Sequence, residues 1–366
     1  MVPDWKALLP HRPLDPDSDQ YVSPPAGGAE RIAEWILADR TTVLVAGPVG
    51  IGKSTELARA VQLMHKERIA CLIRLDRSEN MRRATTDQLL LRIAGELADQ
   101  TLGQPFIQLS APLAAALERA GVRTHDSTDK TRQAPPPFVG SGLTILKLTL
   151  SEVSRDRKRR FALVLDGLEK MPDGPNTHEF FEALGLLPDT VDIVAVLPWS
   201  LAFGAGGTTA IRSDEHIVFL RAPSVTGPGS EGRSFLQEIL ARRLQTAVPH
   251  EHTELFDRAA FHSGGIPRTF LQLAADAGTY ARIRRKASWP NLADLGDAVT
   301  EQRESFLRLL RPGDSNAILA TVSTDGRELE PDRRIRLLMH GVLLERSTYG
   351  STWLELHPIL AGFLHA

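Results

Sequence analysis

Residues Val43–Leu57 read VLVAGPVGIGKSTEL, and this stretch decides the fold. TTVLVA (Thr41–Ala46) is short, apolar, rich in β-branched residues and followed at once by glycine, which predicts a buried strand. Gly47-Pro-Val-Gly-Ile-Gly52-Lys53-Ser54 then fits G-x-x-x-x-G-K-[ST], and helical spacing follows from Lys53 to about Lys66. Gly47, Gly50 and Gly52 allow the backbone to fold around phosphate groups with its N–H bonds pointing inward. The helix that follows aims its positive end at the same anion. Lys53 supplies a compact cation to the β- and γ-phosphates, Ser54 supplies a hydroxyl to Mg²⁺, and Thr55 extends the phosphate-binding set. Strand, loop and helix in this order predict a nucleotide site.

Working outward, strands and helices alternate. IACLIRL (Ile69–Leu75), FALVLD (Phe161–Asp166), VDIVAVLP (Val191–Pro198) and HIVFL (His216–Leu220) are further strands. Helices are expected over 29–38, 85–99, 143–157 and 178–186. This alternation implies crossover connections and a mainly parallel sheet covered on both faces. Residues 1–30 carry six prolines and read as an extended N-terminal segment. Residues 100–142, with RQAPPPFVGSG, read as an insertion or long loop, and FGAGGTT (Phe203–Thr209) as another loop. From about 224 to 310 the pattern is helical. Residues 311–366 follow the order helix, turn, helix, strand, turn, strand, short helix. The domain expectation is a core over 31–223, a helical lid over 224–310 and a winged-helix-like end over 311–366.

Composition narrows the class. The chain has 366 residues, 43 Lys+Arg against 45 Asp+Glu and one cysteine, enough length for two or three domains. The lone Cys71 excludes an internal disulfide framework and a Cys-cluster metal site, and the histidines show no ligand spacing. No run approaches about 18 apolar residues, and MVPDWKALLPHRPLDPDSD lacks the apolar run of a signal peptide. The expectation is a cytoplasmic protein without membrane partners. A net charge of −2 argues against a globally basic nucleic-acid binder.

A Mg²⁺-nucleotide needs a carboxylate at the end of a neighbouring strand, and Asp166 of FALVLDGLEK supplies one. The pattern alone is weak, because many strands end in an Asp that caps the next turn; the phosphate loop strengthens it. Hydrolysis also needs a group that orients water. Gly167 stands directly after Asp166, so Glu169 is the nearest substitute, its alternative being a solvated loop charge. HSGGIPRTFLQLAADA (His262–Ala277) has Gly-Gly, then Pro267, then Arg268 on the first turn of a long helix. Arg268 reads equally as a surface arginine or as a residue reaching a γ-phosphate.

VLVAGPVGIGKSTEL, FALVLDGLE and SGGIPRTFLQL, in this order and before a winged-helix-like end, resemble the AAA+-like P-loop ATPases, above all the STAND signalling ATPases and the replication-initiator ATPases. The resemblance covers roughly residues 30–366, leaving 100–142 unmatched. It implies a three-layer P-loop NTPase sandwich binding ATP and Mg²⁺, with Asp166 as the Walker B acid and Arg268 as the sensor 2 arginine. Sensor 1 has only Ser200 to offer, and the arginine finger is open among Arg212, Arg221, Arg242 and Arg243. These departures favour a slow switch over fast turnover.

In the C-terminal module, Arg333, Arg334 and Arg336 fall on the second helix, where a DNA reader would enter the major groove. Yet its arginines (Arg311, Arg327, Arg333, Arg334, Arg336, Arg346) are one fewer than its acidic residues. The run Arg155–Arg160 reads as a solvated helix end, and Arg284-Arg285-Lys286 as cations closing a helix. The leading expectation is an ATP-dependent molecular switch with slow hydrolysis. By family analogy it would serve a bacterial defence or signalling system, with a homo-oligomer or an effector protein as partner. The alternative is an ATPase that assembles on duplex DNA.

Overall fold

The apolar runs of the first half become the strands of one sheet: β1 (Thr42–Ala46), β2 (Arg68–Arg74), β3 (Arg160–Asp166), β4 (Val191–Val196) and β5 (His216–Phe219). In this computed structural model the described residues are 3–9, 14, 18–102, 109–119, 140–154, 159–203, 215–226, 230–323, 329–348 and 351–364. They fall into two compact units, one of Ala29–Ala46 with Leu57–Val218, the other of Met1–Gly28, Gly47–Glu56 and Phe219–Ala366.

The first unit holds the sheet, in the order β2-β3-β4-β1-β5. Strands β2, β3, β4 and β1 pair in parallel, with Arg74 opposite Asp166, Leu165 opposite Ala195 and Val45 opposite Val196. Parallel neighbours need long crossovers, and the intervening chain supplies helices for them. On one face Ile73, Leu163, Leu165 and Ile193 pack with Ile93 and Leu97 of the helix Thr86–Leu102, Leu146 of Gly142–Ser154 and Phe180 of Pro175–Gly185. The alternate residues Val43, Val45, Ala162, Val164, Val194 and Val196 are buried as well, as expected for strands covered on both faces. The α/β expectation therefore holds, with a mostly parallel five-stranded sheet.

Three local expectations change. The irregular stretch after residue 100 is shorter: the helix Thr86–Leu102 runs on past Asp99, and a helix Ala111–Arg119 puts Leu113, Ala116 and Leu117 into the core. The rest of the expected insertion, 103–108 and 120–139, lies outside the described residues, as do 155–158 and the glycine-rich 204–209. Second, Arg160 is no solvated helix end. It opens β3, and its guanidinium pairs at 2.8 Å with Asp192, a wholly buried carboxylate that also takes Arg68 Nε at 2.8 Å. Burial pushes the Asp192 carboxyl up and the Arg68 hydrogen bond opposes it. Third, the N-terminal segment is anchored. Asp4 caps a 3-10 turn, Trp5–Leu8, whose Trp5 and Leu8 are buried in the second unit.

That second unit is mainly helical: Glu231–Leu244, Thr253–His262, Pro267–Arg285 and Leu292–Leu307. Asn291 and Asp294 form a capping box that starts the last of these. Arg284 and Arg285 pair with Asp297 and Asp294, so the cations that close the helix Pro267–Arg285 also fasten it to its successor. The helices Asp314–Ser323 and Pro331–Met339 and an antiparallel ribbon, β6 (Leu343–Thr348) with β7 (Ser351–Leu356), complete the unit.

Candidate functional site

The candidate phosphate loop, Gly47–Gly52, turns through two left-handed glycines, Gly50 at φ 87° and Gly52 at φ 107°, a conformation that residues with a Cβ rarely adopt. The helix Lys53–Met64 starts directly after them, and Thr55 and Glu56 close its first turn by donating to the Gly52 carbonyl at 2.9 and 3.0 Å. Lys53 is buried, its ammonium donating to the carbonyls of Gly47 (2.8 Å) and Pro48 (3.2 Å). Ser54 and Thr55 sit on the same first turn, where the N–H groups and helix dipole favour an anion.

The loop is tied to two elements of its own unit that sequence spacing did not place there. The Arg268 N–H donates to the Gly50 carbonyl at 3.2 Å, so the Gly264-Gly265-Ile266-Pro267-Arg268 turn is joined to the loop through its backbone. The Val49 N–H donates to the Met339 carbonyl at 3.0 Å, at the end of the helix Pro331–Met339. Arg346 of β6 braces the same turn. It is buried, donating to the Gly264 carbonyl at 3.0 Å and the Ala222 carbonyl at 2.7 Å while pairing with Glu355 at 2.8 Å. His357 adds a hydrogen bond between its Nε2 and the Ser263 carbonyl at 3.1 Å.

In the sheet unit, Asp166 is buried at the carboxyl end of β3 and accepts from the Gly167 N–H at 2.9 Å. Glu169 lies on the 3-10 turn Leu168–Lys170, with its Oε2 buried and without a hydrogen-bond partner among the described residues. Beside Gly167 stands Asp76, which the sequence reading did not single out, paired with Lys170. The only linear signal for it was a carboxylate just past the end of β2. Ser200 lies on the short helix Trp199–Phe203, after β4.

Several of the remaining candidates are engaged elsewhere in the fold. Arg221 pairs with Glu345 at 2.7 Å, and Arg242 pairs with Glu238 at 2.6 Å while donating to the carbonyl of Tyr21. Arg243 is partly buried, its Nε has no hydrogen-bond partner among the described residues, and desolvation lowers its pKa; Arg212 lies outside them. Arg336 and Arg333 pair with the buried carboxylate of Asp314 at 2.6 and 3.2 Å, which leaves Arg334 without an ion pair in that trio among the described residues. Burial alone would raise the Asp314 carboxyl, but the Arg311 N–H and Arg336 outweigh it and hold it below its ordinary value.

Among the described residues no three His, Cys, Asp or Glu side chains gather as a metal cage. None is required, since Mg²⁺ beside a nucleotide typically takes one or two protein oxygens, substrate phosphates and water. The hydroxyl of Ser54 and the carboxylate of Asp166 are hard oxygen donors of that kind. No helix among the described residues is long and apolar enough to cross a membrane.

No protein-family model and no curated protein matches the chain. Solved structures do. The Walker-type ATPase PABY2304 of Pyrococcus abyssi is similar over 98% of this chain and 100% of its own, with 14% identity and a TM-score of 0.55. ORC1 of Aeropyrum pernix, solved in complex with DNA, is similar over 99% of this chain and 97% of its own, with 15% identity and a TM-score of 0.49. The RuvB branch-migration motor of Thermotoga maritima follows at 13% identity and a TM-score of 0.42 over 95% and 96% of the two chains. At such identities the likeness concerns the fold, which is that of an α/β P-loop NTPase.

Proposed function

We propose that this chain is a Mg²⁺-ATP-dependent molecular switch of the AAA+ type, related to the STAND and replication-initiator groups. The observation that carries the reading is the double tether of the phosphate loop, Val49 to Met339 and Gly50 to Arg268. A loop that must hold phosphates is hydrogen-bonded to a helix of the lid and to the C-terminal module. Nucleotide arrival at Gly47–Thr55 therefore biases both.

In this reading Lys53 and the loop amides hold the phosphates, Ser54 and Asp166 are the Mg²⁺ ligands, and Arg268 responds to the γ-phosphate. Bound Mg²⁺ would supply neutralisation of the phosphate oxygens. Hydrolysis, drawing on Asp166 and Glu169, resets the switch. The partner is a second copy of the chain or an effector protein, in a cytoplasmic defence or signalling system. The helix–helix–ribbon order after residue 311 supports a winged-helix assignment. Duplex DNA is the lesser alternative, because Arg333 and Arg336 are engaged by Asp314.

The test is nucleotide binding and solution size of the full chain with ADP, ATP or a non-hydrolysable analogue, with and without duplex DNA. Lys53→Ala should abolish binding; an unchanged affinity would sink the reading. A size change with the analogue alone supports the switch, and one that needs DNA at low salt supports the alternative.

A further inference from the structure

Side chains alternate along the ribbon strand β6, so Leu344 and Arg346 face the same way. That face meets the turn at residues 264–268. A Cβ added to Gly264, whose φ is 61°, would fall 2.7 Å from Leu344 Cδ1. Leu344 forms a small buried apolar cluster with Ala222 and Ile266, and Ile51 of the candidate phosphate loop packs against it. All of these residues belong to the second unit.

Arg346 carries a charge into this apolar contact, with only 4% of its side chain exposed. Burying a guanidinium is unfavourable unless its donors are matched. Glu355 takes Nε at 2.8 Å, the carbonyls of Ala222 and Pro223 take one terminal nitrogen at 2.7 and 3.1 Å, and the Gly264 carbonyl takes the other at 3.0 Å. No main-chain N–H among the described residues donates to those carbonyls. One side chain of the ribbon therefore joins two backbone segments, the connection at 222–223 and the turn. Between them the fit is tight, since a Cβ on Gly265 would fall 2.2 Å from the Pro223 carbonyl oxygen. Further along the turn, the Arg268 N–H donates to the Gly50 carbonyl at 3.2 Å. Arg268 is itself exposed, so the backbone of the turn, and not packing, sets where its guanidinium starts from.

We propose that Arg346 is a positioning residue for nucleotide recognition: by holding the turn at 264–268 against the loop, it sets the preference for ATP over ADP from within the C-terminal module. This rests on the reading that Arg268 responds to the γ-phosphate. Geometry, and not charge alone, makes arginine necessary at 346. A lysine offers one nitrogen where the guanidinium offers three in a fixed fork, so it cannot span both backbone segments and Glu355 in the same way.

The experiment measures ATP and ADP affinities with Mg²⁺, and thermal midpoints, for the full chain. The variants are Arg346→Lys, Arg346→Met, Arg268→Ala, the double variant Arg346→Lys/Arg268→Ala and the exposed control Asp332→Asn. Wild type should bind ATP at least about tenfold more tightly than ADP. Arg346→Lys and Arg346→Met, assayed below their midpoints, should each lose about fivefold or more of that preference while ADP affinity stays within about twofold. Asp332→Asn should keep it. The double variant should lose no more than Arg268→Ala alone, because both changes act on one contact. A merely structural role would lower the midpoint and weaken both nucleotides together. Preference kept within about twofold in either Arg346 variant, ATP and ADP affinities falling in step, or an additive loss in the double variant overturns the proposal and leaves the proposed function standing. A wild type that binds ATP and ADP equally overturns it together with the γ-phosphate role of Arg268. One that binds neither overturns the proposed function itself, and this assignment with it.

Discussion

The main-chain N–H of Val49, on the glycine-rich loop Gly47–Gly52, donates to the carbonyl oxygen of Met339 across 3.0 Å. The two residues are far apart in sequence, yet one hydrogen bond joins the glycine-rich loop before the helix Lys53–Met64 to the last residue of the helix Pro331–Met339. Any change in loop conformation must keep, stretch or break that bond.

Nucleotide binding should therefore alter amide hydrogen exchange in residues 331–348 as well as in the loop, because linked sites share one free-energy change. Exchange mass spectrometry with and without ATP should show a several-fold rate difference over that segment, absent in Lys53→Ala. Identical exchange in both states of the wild type would disconnect the C-terminal module from the loop.

The turn that carries Arg268 depends on Gly265. Its φ is 84°, and an added Cβ would fall 2.2 Å from the Pro223 carbonyl oxygen, a backbone atom that cannot swing aside. Gly265→Ala should cost about 2–3 kcal/mol in urea denaturation and weaken nucleotide binding through the Arg268–Gly50 bond. Arg268→Ala keeps that backbone bond and should alter the response to ATP over ADP with little loss of stability.

His357 makes stability pH-dependent. Desolvation, with smaller contributions from Arg346 and His262, holds its pKa down at about 3 against an ordinary 6.5, although the Ser263 hydrogen bond opposes the shift. The neutral ring donates through Nε2 to the Ser263 carbonyl and accepts the Ile359 N–H at Nδ1. Above pH 6.5 the ring is neutral in both states and its contribution is fully present. As pH falls below that, the unfolded chain binds a proton that the folded chain refuses. Stability should then drop by up to about 1.4 kcal/mol per pH unit until the folded ring protonates. Urea titrations between pH 7 and 4 should show a slope about one proton shallower for His357→Gln than for wild type; equal slopes would remove His357 as the cause.

Trp5 is the anchor of the N-terminal segment. It stacks with Phe256 and meets Trp289 edge-on, donates Nε1 to the Ser288 carbonyl at 3.1 Å, and lies over Gly278 of the helix Pro267–Arg285. Trp5→Ala should cost about 3–5 kcal/mol and expose the turn at residues 3–9 to limited proteolysis at wild-type protease doses. An unchanged cleavage pattern would show that the segment is held elsewhere.

What was legible in the sequence is what local chemistry dictates. The phosphate loop is contiguous, so its glycines, lysine and serine announce themselves by spacing, and the strand before it and helix after it follow from residue type and periodicity. The sheet class follows too, because apolar strands alternating with helices leave few arrangements besides parallel crossovers. Arg160 reads as solvated in linear order because its partner Asp192 lies on another strand and is brought beside it only by the fold. Asp76 was invisible for the same reason: an ordinary acid in linear order, it gains its place only when β2 and β3 pair and Gly167 leaves a space.

The sequence by itself thus determined the α/β P-loop fold with its mainly parallel sheet. The tertiary structure decided which carboxylate stands beside Gly167, what Arg333 and Arg336 are tied to, and that Met339 meets Val49. The physical reason is range. Helix and strand periodicity and loop geometry are set by residues a few positions apart, whereas a buried ion pair or a hydrogen bond between distant backbones exists only once packing has brought its two halves together.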